Sequence, residues 1–292
     1  MFLFEKQKSF TLLELLVVIT IIGILTSIVV VSMSGSTDSA TIAKGKAYAQ
    51  QVHALLGANA VGIWNFDEGV NNTCYDVSGY NNNGTIYGAD YTLSPIDGYA
   101  LNFNGSSDYV LVNDLTYNNV AEWSLSVWGK KTSYVQYQSL YSDYNSSQRN
   151  IICGYESSEG IMTFYTGSGG STIATNIANV WTTDEWIHWV FVFKGGEHIR
   201  IYKNSIMIKE RIDNIPVSIA ATHTSRYFGR YSSIYFSGLI DEARIYTEAL
   251  STTEIQKHYV QGLNKLLANQ AITQTEYNQR MEELNQSLVS NL

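Results

Sequence analysis

The sequence predicts a mainly β protein with helical ends: a long N-terminal helix, a two-sheet sandwich and a C-terminal helical hairpin. Three observations point there. The run from Phe10 to Val31 is apolar and holds no charge except Glu14. From Val61 to about Tyr246, short alternating runs are separated by Gly, Asn, Asp and Ser turns, as in YALNF, DYVLV, WSLSVW, HWVFVF and IRIYK. Two helix-capping patterns close the chain, Ser251-Thr252-Thr253-Glu254 and Thr273-Gln274-Thr275-Glu276.

The first element is the helix. An apolar stretch of about 20 residues spans a bilayer, and Lys6 and Lys8 precede this one. Those lysines place the leader on the inside and the bulk of the chain outside. A carboxylate within such a helix costs roughly 2.5–3.5 kcal/mol on insertion, so Glu14 needs a compensating partner. After a polar stretch at SMSGSTDSA, helical spacing resumes through Ile42, Ala49, Val52, Leu55 and Leu56. The expected helix covers 10–59 and reaches about 75 Å at 1.5 Å per residue.

The string SFTLLELLVVITIIGIL closely resembles the N-terminus of type IV prepilins and type II secretion pseudopilins. The resemblance implies a leader over 1–9, cut by a prepilin peptidase between Ser9 and Phe10. It also implies an N-methylated Phe10 and an assembly role for Glu14, paired with the Phe10 amine of a neighbouring pilin subunit. Ser9 stands where the family usually has glycine. The implied location is the inner membrane as a single-pass precursor, then an extracellular filament or the cell surface.

The middle, 60–250, carries the sandwich. Large side chains such as Trp64, Phe66, Phe103, Trp128, Trp189 and Phe191 are expected to fill the space between the sheets. GIWNFDEG, DVSGYNNNGTIYGA, YALNFNGSSDYVLV, WSLSVWGK, EWIHWVFVFKGGEHIRIYKNSIM and FSGLIDEARIYTEALSTTEIQKHY occur in an order that resembles laminin-G-like, concanavalin-like jelly rolls. That resemblance implies a jelly roll and, near Asp241, a calcium ion or a local turn. Calcium prefers several oxygen ligands, and Asp67, Asn104, Asp108 and Asp241 supply such groups. The same Asn104 and Gly105 also read as a hairpin turn.

The end, 251–292, reads as two helices. Ile255, Tyr259, Leu263, Leu266 and Leu267 make one apolar face, and Tyr277, Met281, Leu284 and Leu288 the other. The segment resembles bacterial C-terminal helical-hairpin modules, with packing on the sandwich or subunit contact as its two readings.

Composition narrows the function. The formal net charge is −8, which disfavours binding nucleic acid through bulk charge. Only 15% of residues are charged, and polarity comes from Asn, Ser, Thr and Gly with 21 Tyr, as suits an extracellular β domain. Cys74 and Cys153 are the only cysteines, read either as one disulfide or as two thiols. The five histidines lack metal-ligand spacing, no nucleophile elbow or phosphate loop occurs, and the doublets Asp67-Glu68 and Asp241-Glu242 read as fold residues before catalytic ones. His188, between Trp186 and Trp189, reads as packing or as an edge residue.

The expectation is therefore not an enzyme. It is a type IV pilin-like filament subunit of the minor kind, displaying its sandwich for adhesion or glycan binding. Tyr134, Tyr137, Tyr141, Tyr144 and Asn81-Asn82-Asn83 are candidate sugar contacts. A type II secretion pseudopilin and a membrane-anchored glycan-active enzyme are the alternatives.

Overall fold

The computed structural model describes residues 60–292 except 114, 116, 118, 134–137, 145–148, 157–160, 169–170, 179, 220–224 and 290–292. The leader, the expected 10–59 helix and its residues Ser9, Phe10 and Glu14 lie outside the described residues. So do Tyr134 and Tyr137. Among the described residues, no helix is long and apolar enough to cross a membrane.

The first half of the sandwich contributes β1 (Ala60–Trp64), β2 (Thr73–Cys74), β3 (Gly84–Tyr87), β4 (Asp90–Leu93), β5 (Tyr99–Asn104), β6 (Tyr109–Val112), β7 (Glu122–Lys131), β8 (Tyr141–Tyr144) and β9 (Arg149–Glu156). The second half contributes β10 (Ile161–Ser168), β11 (Ser171–Ala178), β12 (Trp186–Lys194), β13 (His198–Lys203), β14 (Ile206–Arg211), β15 (Arg226–Phe228), β16 (Arg230–Tyr231), β17 (Ile234–Tyr235) and β18 (Ser237–Tyr246). Two helices follow, α1 (Thr252–Ala268) and α2 (Gln274–Val289).

The strands form two large sheets and a small ribbon. The first sheet runs β14-β13-β12-β7-β18-β5-β4, with β1 also paired to β18. The second runs β11-β10-β9-β8-β15-β6-β3-β2, and β16 pairs only with β17. Neighbouring strands are antiparallel throughout. Sequence neighbours such as β5 and β6 therefore part into opposite sheets, the jelly-roll-like crossing of a sandwich.

Alternation decides what lies between the sheets. On β7, Trp123, Leu125 and Val127 point into the central core; on β12, Ile187, Trp189, Phe191 and Phe193 do so. Trp64, Phe66, Phe103 and Phe228 complete the aromatic centre, and Trp64 meets Phe228 edge-on at 5.2 Å. Trp128 departs from expectation. It stands five residues from Trp123, hence on the opposite face of β7, and packs in a second cluster with Tyr259, Leu263 and Leu266 of α1. Both β7 and β12 are buried on both faces because α1 covers the outer side of their sheet.

The caps that start the helices form as the sequence predicts. Ser251 Oγ accepts from Glu254 N at 3.3 Å, and Ser251 N donates to Glu254 Oε2 at 2.8 Å. Thr273 Oγ1 accepts from Glu276 N at 3.1 Å. Gly262 is required where α1 crosses Trp128, because a Cβ there would lie 2.3 Å from the indole.

The cysteines do not pair. Cys74 and Cys153 are both free and buried. They sit on β2 and β9, five strand steps apart in one sheet. At roughly 4.8 Å per step this is roughly 24 Å, far beyond the reach of a disulfide.

Candidate functional site

The outer face of the second sheet gathers tyrosines from strands that are distant in sequence. Ile86, Val110, Val112 and Phe228 turn inward, so Tyr87, Tyr109 and Tyr227 turn outward. Register places Tyr87 opposite Tyr109, and their rings stack at 4.6 Å with planes 15° apart. Tyr227 meets Tyr109 edge-on at 5.9 Å and Tyr144 at 5.6 Å. Tyr144, three residues from the inward Tyr141 on β8, alternates to the outer face and meets Tyr231 edge-on at 4.9 Å.

The β16–β17 ribbon lies beside these rings and brings one cation. Its anchor is the Arg230 carbonyl, which accepts from Ser142 Oγ at 2.5 Å. The Arg230 guanidinium carbon lies 4.7 Å from the Tyr109 ring centre, 5.1 Å from Tyr227 and 5.7 Å from Tyr235. Arg230 Nε donates to Ser232 O at 2.9 Å, which fixes the plane of the fork. Burial raises the Tyr144 hydroxyl above its ordinary pKa, so it stays protonated and able to donate. Tyr144, Ser225, Tyr227, Arg230, Ser232, Ser233 and Tyr235 line an open depression of about 520 Å³. That volume lies within the usual span of small-ligand sites, roughly 300–1,000 Å³.

The outer face of the first sheet is also polar and aromatic, but covered. Trp128 stacks on Tyr259 at 5.9 Å, and His188 lies 5.2 Å from Trp128. Ser126 Oγ and His188 Nε2 are 2.8 Å apart. Burial pushes the His188 pKa down to about 3, so the ring is neutral at ordinary pH. Beside it Glu242 pairs with Arg244 at 2.5 Å and with Lys265 at 3.6 Å, and Lys265 also binds Asp97. The remaining cavity is about 20 Å³, room for about one water.

A bulge in β18 creates this arrangement. Pairing with β7 slips between Asp241 and Arg244, and Glu242 takes φ 48°. Ile240 and Ala243 thereby stay in the central core while the Asp241 and Glu242 carboxylates both leave it. Asp241 accepts from Ser94 Oγ at 2.5 Å and from Glu242 N at 2.7 Å. Burial, then the Glu242 charge, raises its pKa well above the carboxylate range.

A family model described as the concanavalin A-like lectin/glucanases superfamily matches residues 104–256, more than half of the chain. The chain belongs to this superfamily. A second model, the prokaryotic N-terminal methylation motif, matches residues 5–30. Within the superfamily match lie β6 through β18 and the start of α1, while β1 to β5 complete the two sheets from outside it. Among solved structures, the receptor-binding domain of botulinum neurotoxin C/D mosaic serotype superposes with TM-score 0.56 at 15% identity, covering 71% of this chain and 52% of that one. The binding domain of Paraclostridial Mosquitocidal Protein 1 gives 0.57 at 16% identity, with 72% and 53% covered. The chain thus spans about half the length of these structures, and at such identity the likeness shows the fold alone. No curated protein matches the chain.

Within this lectin/glucanase sandwich, the four residues expected at one calcium ion fall into two pairs, Asn104 with Asp108 and Asp67 within electrostatic reach of Asp241. Asn104 and Asp108 hold the β5–β6 turn: Asn104 N and Nδ2 donate to Asp108 Oδ2 and Oδ1 at 2.9 and 2.8 Å. Asn104 lies opposite Ser237 on β18, four residues from Asp241, a separation of about 13 Å along the strand. Asp67 lies near the other end, accepting from Tyr99 N at 2.9 Å and within electrostatic reach of Asp97, Glu242 and Lys265. Glu68 accepts from Tyr75 N at 2.7 Å and from Tyr91 Oη at 3.1 Å.

The candidate sugar contacts also divide. Tyr144 lines the depression, whereas Tyr141 is wholly buried and shares a hydroxyl contact of 2.9 Å with Tyr117. Asn82 and Asn83 hold the loop around Asp76 and Val61. Sequence reading passed over Tyr87, Tyr109, Tyr227, Arg230, Tyr231 and Tyr235. The available signal was parity: in DYVLV and SRYFGRY, Tyr109 and Tyr227 alternate with the inward Val110 and Phe228.

Proposed function

We propose that this chain is a type IV pilin-like subunit whose sandwich binds glycans through the tyrosine face of its second sheet. The observation that carries the reading is the depression lined by Tyr144, Tyr227 and Tyr235, with Tyr109 packed edge-on against Tyr227, which also offers the Arg230 fork and serine hydroxyls. A sugar ring has an apolar C–H face and a rim of hydroxyls. An aromatic ring presents a large apolar surface with a negative face, while the hydroxyls need placed donors and acceptors. Both parts are present here in one depression.

The methylation motif supports a membrane-inserted precursor processed by a prepilin peptidase, with cleavage between Ser9 and Phe10. Glu14 then serves assembly, its charge compensated by the amine of a neighbour. A sandwich of this size favours a minor or tip-located subunit over the main repeating one, because a small domain packs more easily around a filament. The ligand-binding face supports a displayed pilin over a secretion pseudopilin. Binding without turnover fits the acidic doublets, since Asp241 and Glu242 lie beneath α1 and Glu68 is occupied by Tyr75 and Tyr91.

The test is a glycan array with the full-length chain in detergent, beside the Tyr109→Ala/Tyr227→Ala double variant. Selective binding that the double variant loses, with its thermal unfolding otherwise retained, is expected. Binding untouched by the double variant would overturn this placement of the site.

A further inference from the structure

Arg230 is held for a purpose that its own fold contacts do not use up. Three tyrosine rings sandwich its guanidinium at 4.7, 5.1 and 5.7 Å. Its Nε is spent on Ser232 O at 2.9 Å. Among the described residues no carboxylate pairs with it, in contrast to Arg200, Arg211, Arg226, Arg244 and Arg280, each of which has an acidic partner. The two terminal nitrogens thus remain as donors on a fork whose plane is already fixed. Such a fork matches the two oxygens of a carboxylate.

Position adds a second constraint. Arg230 is the only cation among the described residues lining the depression, and the neighbours on that surface are Tyr144, Tyr227 and Tyr235 with three serines. One cation among aromatic faces suits a ligand with one charge and a ring. A polyanion such as single-stranded nucleic acid tracks several cations along its backbone, and the chain's formal charge of −8 opposes it.

We propose that the tyrosine face takes a carboxylate-bearing sugar, a sialic or uronic acid, whose carboxylate sits on the Arg230 fork while its ring packs against Tyr227. The inference rests on the glycan-binding reading above and names the sugar class for it. Recognition of this kind is geometric as well as electrostatic, so lysine, a point charge without a fork, does not replace the arginine fully.

The test changes the ligand first and the protein second. Full-length chain in detergent is titrated by calorimetry with sialyllactose and lactose, and with trigalacturonic acid and its methyl ester, at low and high salt. The expected result is tighter binding of each acid than of its neutral counterpart by about tenfold, the scale of one charge-assisted hydrogen-bonded pair. Salt should narrow the gap. Arg230→Gln should abolish the preference while leaving the weaker neutral binding, and Arg230→Lys should restore only part of it. Equal affinity for acid and neutral sugars would overturn the acidic-sugar inference and leave glycan binding standing. Absence of binding to every sugar would overturn both. A thymidine oligonucleotide binding more tightly than any of the acids would reassign the face to nucleic acid and overturn the inference as well.

Discussion

The outer faces of the two sheets carry similar side chains under opposite solvent exposure. On the first sheet Trp128 and His188 are roofed by Tyr259 and the rest of α1, and the charges around them are paired. On the second sheet Tyr87, Tyr109 and Tyr227 are left open, and the arginine among them has donors to spare. The difference separates fold from function. Where a helix covers a sheet, polar groups are matched to one another; where nothing in the described residues covers it, the matching is left for a ligand.

Breaking the covered face should have the largest effect. Trp128→Ala removes a side chain that is only 3% exposed, stacked on Tyr259 and packed at a tilt against His188. Large aromatic truncations in a core cost about 3–5 kcal/mol. Urea unfolding of the full-length chain in detergent should show that loss, while glycan affinity of the folded fraction stays near that of the parent. Tyr227→Ala should do the reverse, with about 1 kcal/mol of stability lost from a partly buried site and binding impaired. Equal stability losses would mean that the second face is also structural.

Acid should sharpen the comparison further, because the buried histidines among the described residues, His188 and His258, belong to the covered face. His188 is neutral when folded, its pKa pushed down to about 3 from an unfolded value of 6.5. Below that unfolded value the unfolded chain takes up the proton and the folded chain does not. Stability from this group is therefore complete above the unfolded pKa and falls with pH, by about 2 kcal/mol between roughly pH 7 and pH 5. Asp241 works in the opposite direction, since its raised pKa adds stability at low pH that fades as pH rises. The variant His188→Gln isolates the histidine contribution: it retains a partner for Ser126 but does not titrate. Its stability deficit against the parent should shrink by about 2 kcal/mol over that pH interval. A deficit independent of pH would mean that the ring titrates alike in the folded and unfolded chains.

How much was legible follows the same division. Strands and helix starts are local, so alternation found β5, β6, β7, β12 and β13, and the capping box found α1 to the residue. Which face of a strand meets which layer is not local. Trp123 and Trp128 are alike in sequence, and only the helix arriving from residue 252 onward gives the second one a roof. The tyrosine face was harder still. Its members come from β3, β6, β8, β15 and the β16–β17 ribbon, which sheet order brings together and chain order does not. Abundance of tyrosine was visible, but Tyr141 and Tyr144 stand three residues apart on β8, an odd spacing that sends one into the core and the other to the opposite face.

The smallest effect tests whether the roof is held by its own start signal or by its packing. Ser251 and Glu254 satisfy two backbone N–H groups at the beginning of α1, and both side chains are at or near the surface. Ser251→Ala removes the hydroxyl that accepts from Glu254 N without touching Ile255, Tyr259 or Leu263, which are buried against the sheet. Loss of an N-cap of this kind costs about 1 kcal/mol. Chemical denaturation should show that decrement with the unfolding transition still cooperative. Hydrogen exchange should rise first at the amides of Thr253 and Glu254, while those near Leu263 stay protected. Exchange rising evenly along α1 would mean that the cap sets the docking of the whole helix, and that the covered face depends on one hydroxyl as much as on the Trp128–Tyr259 stack.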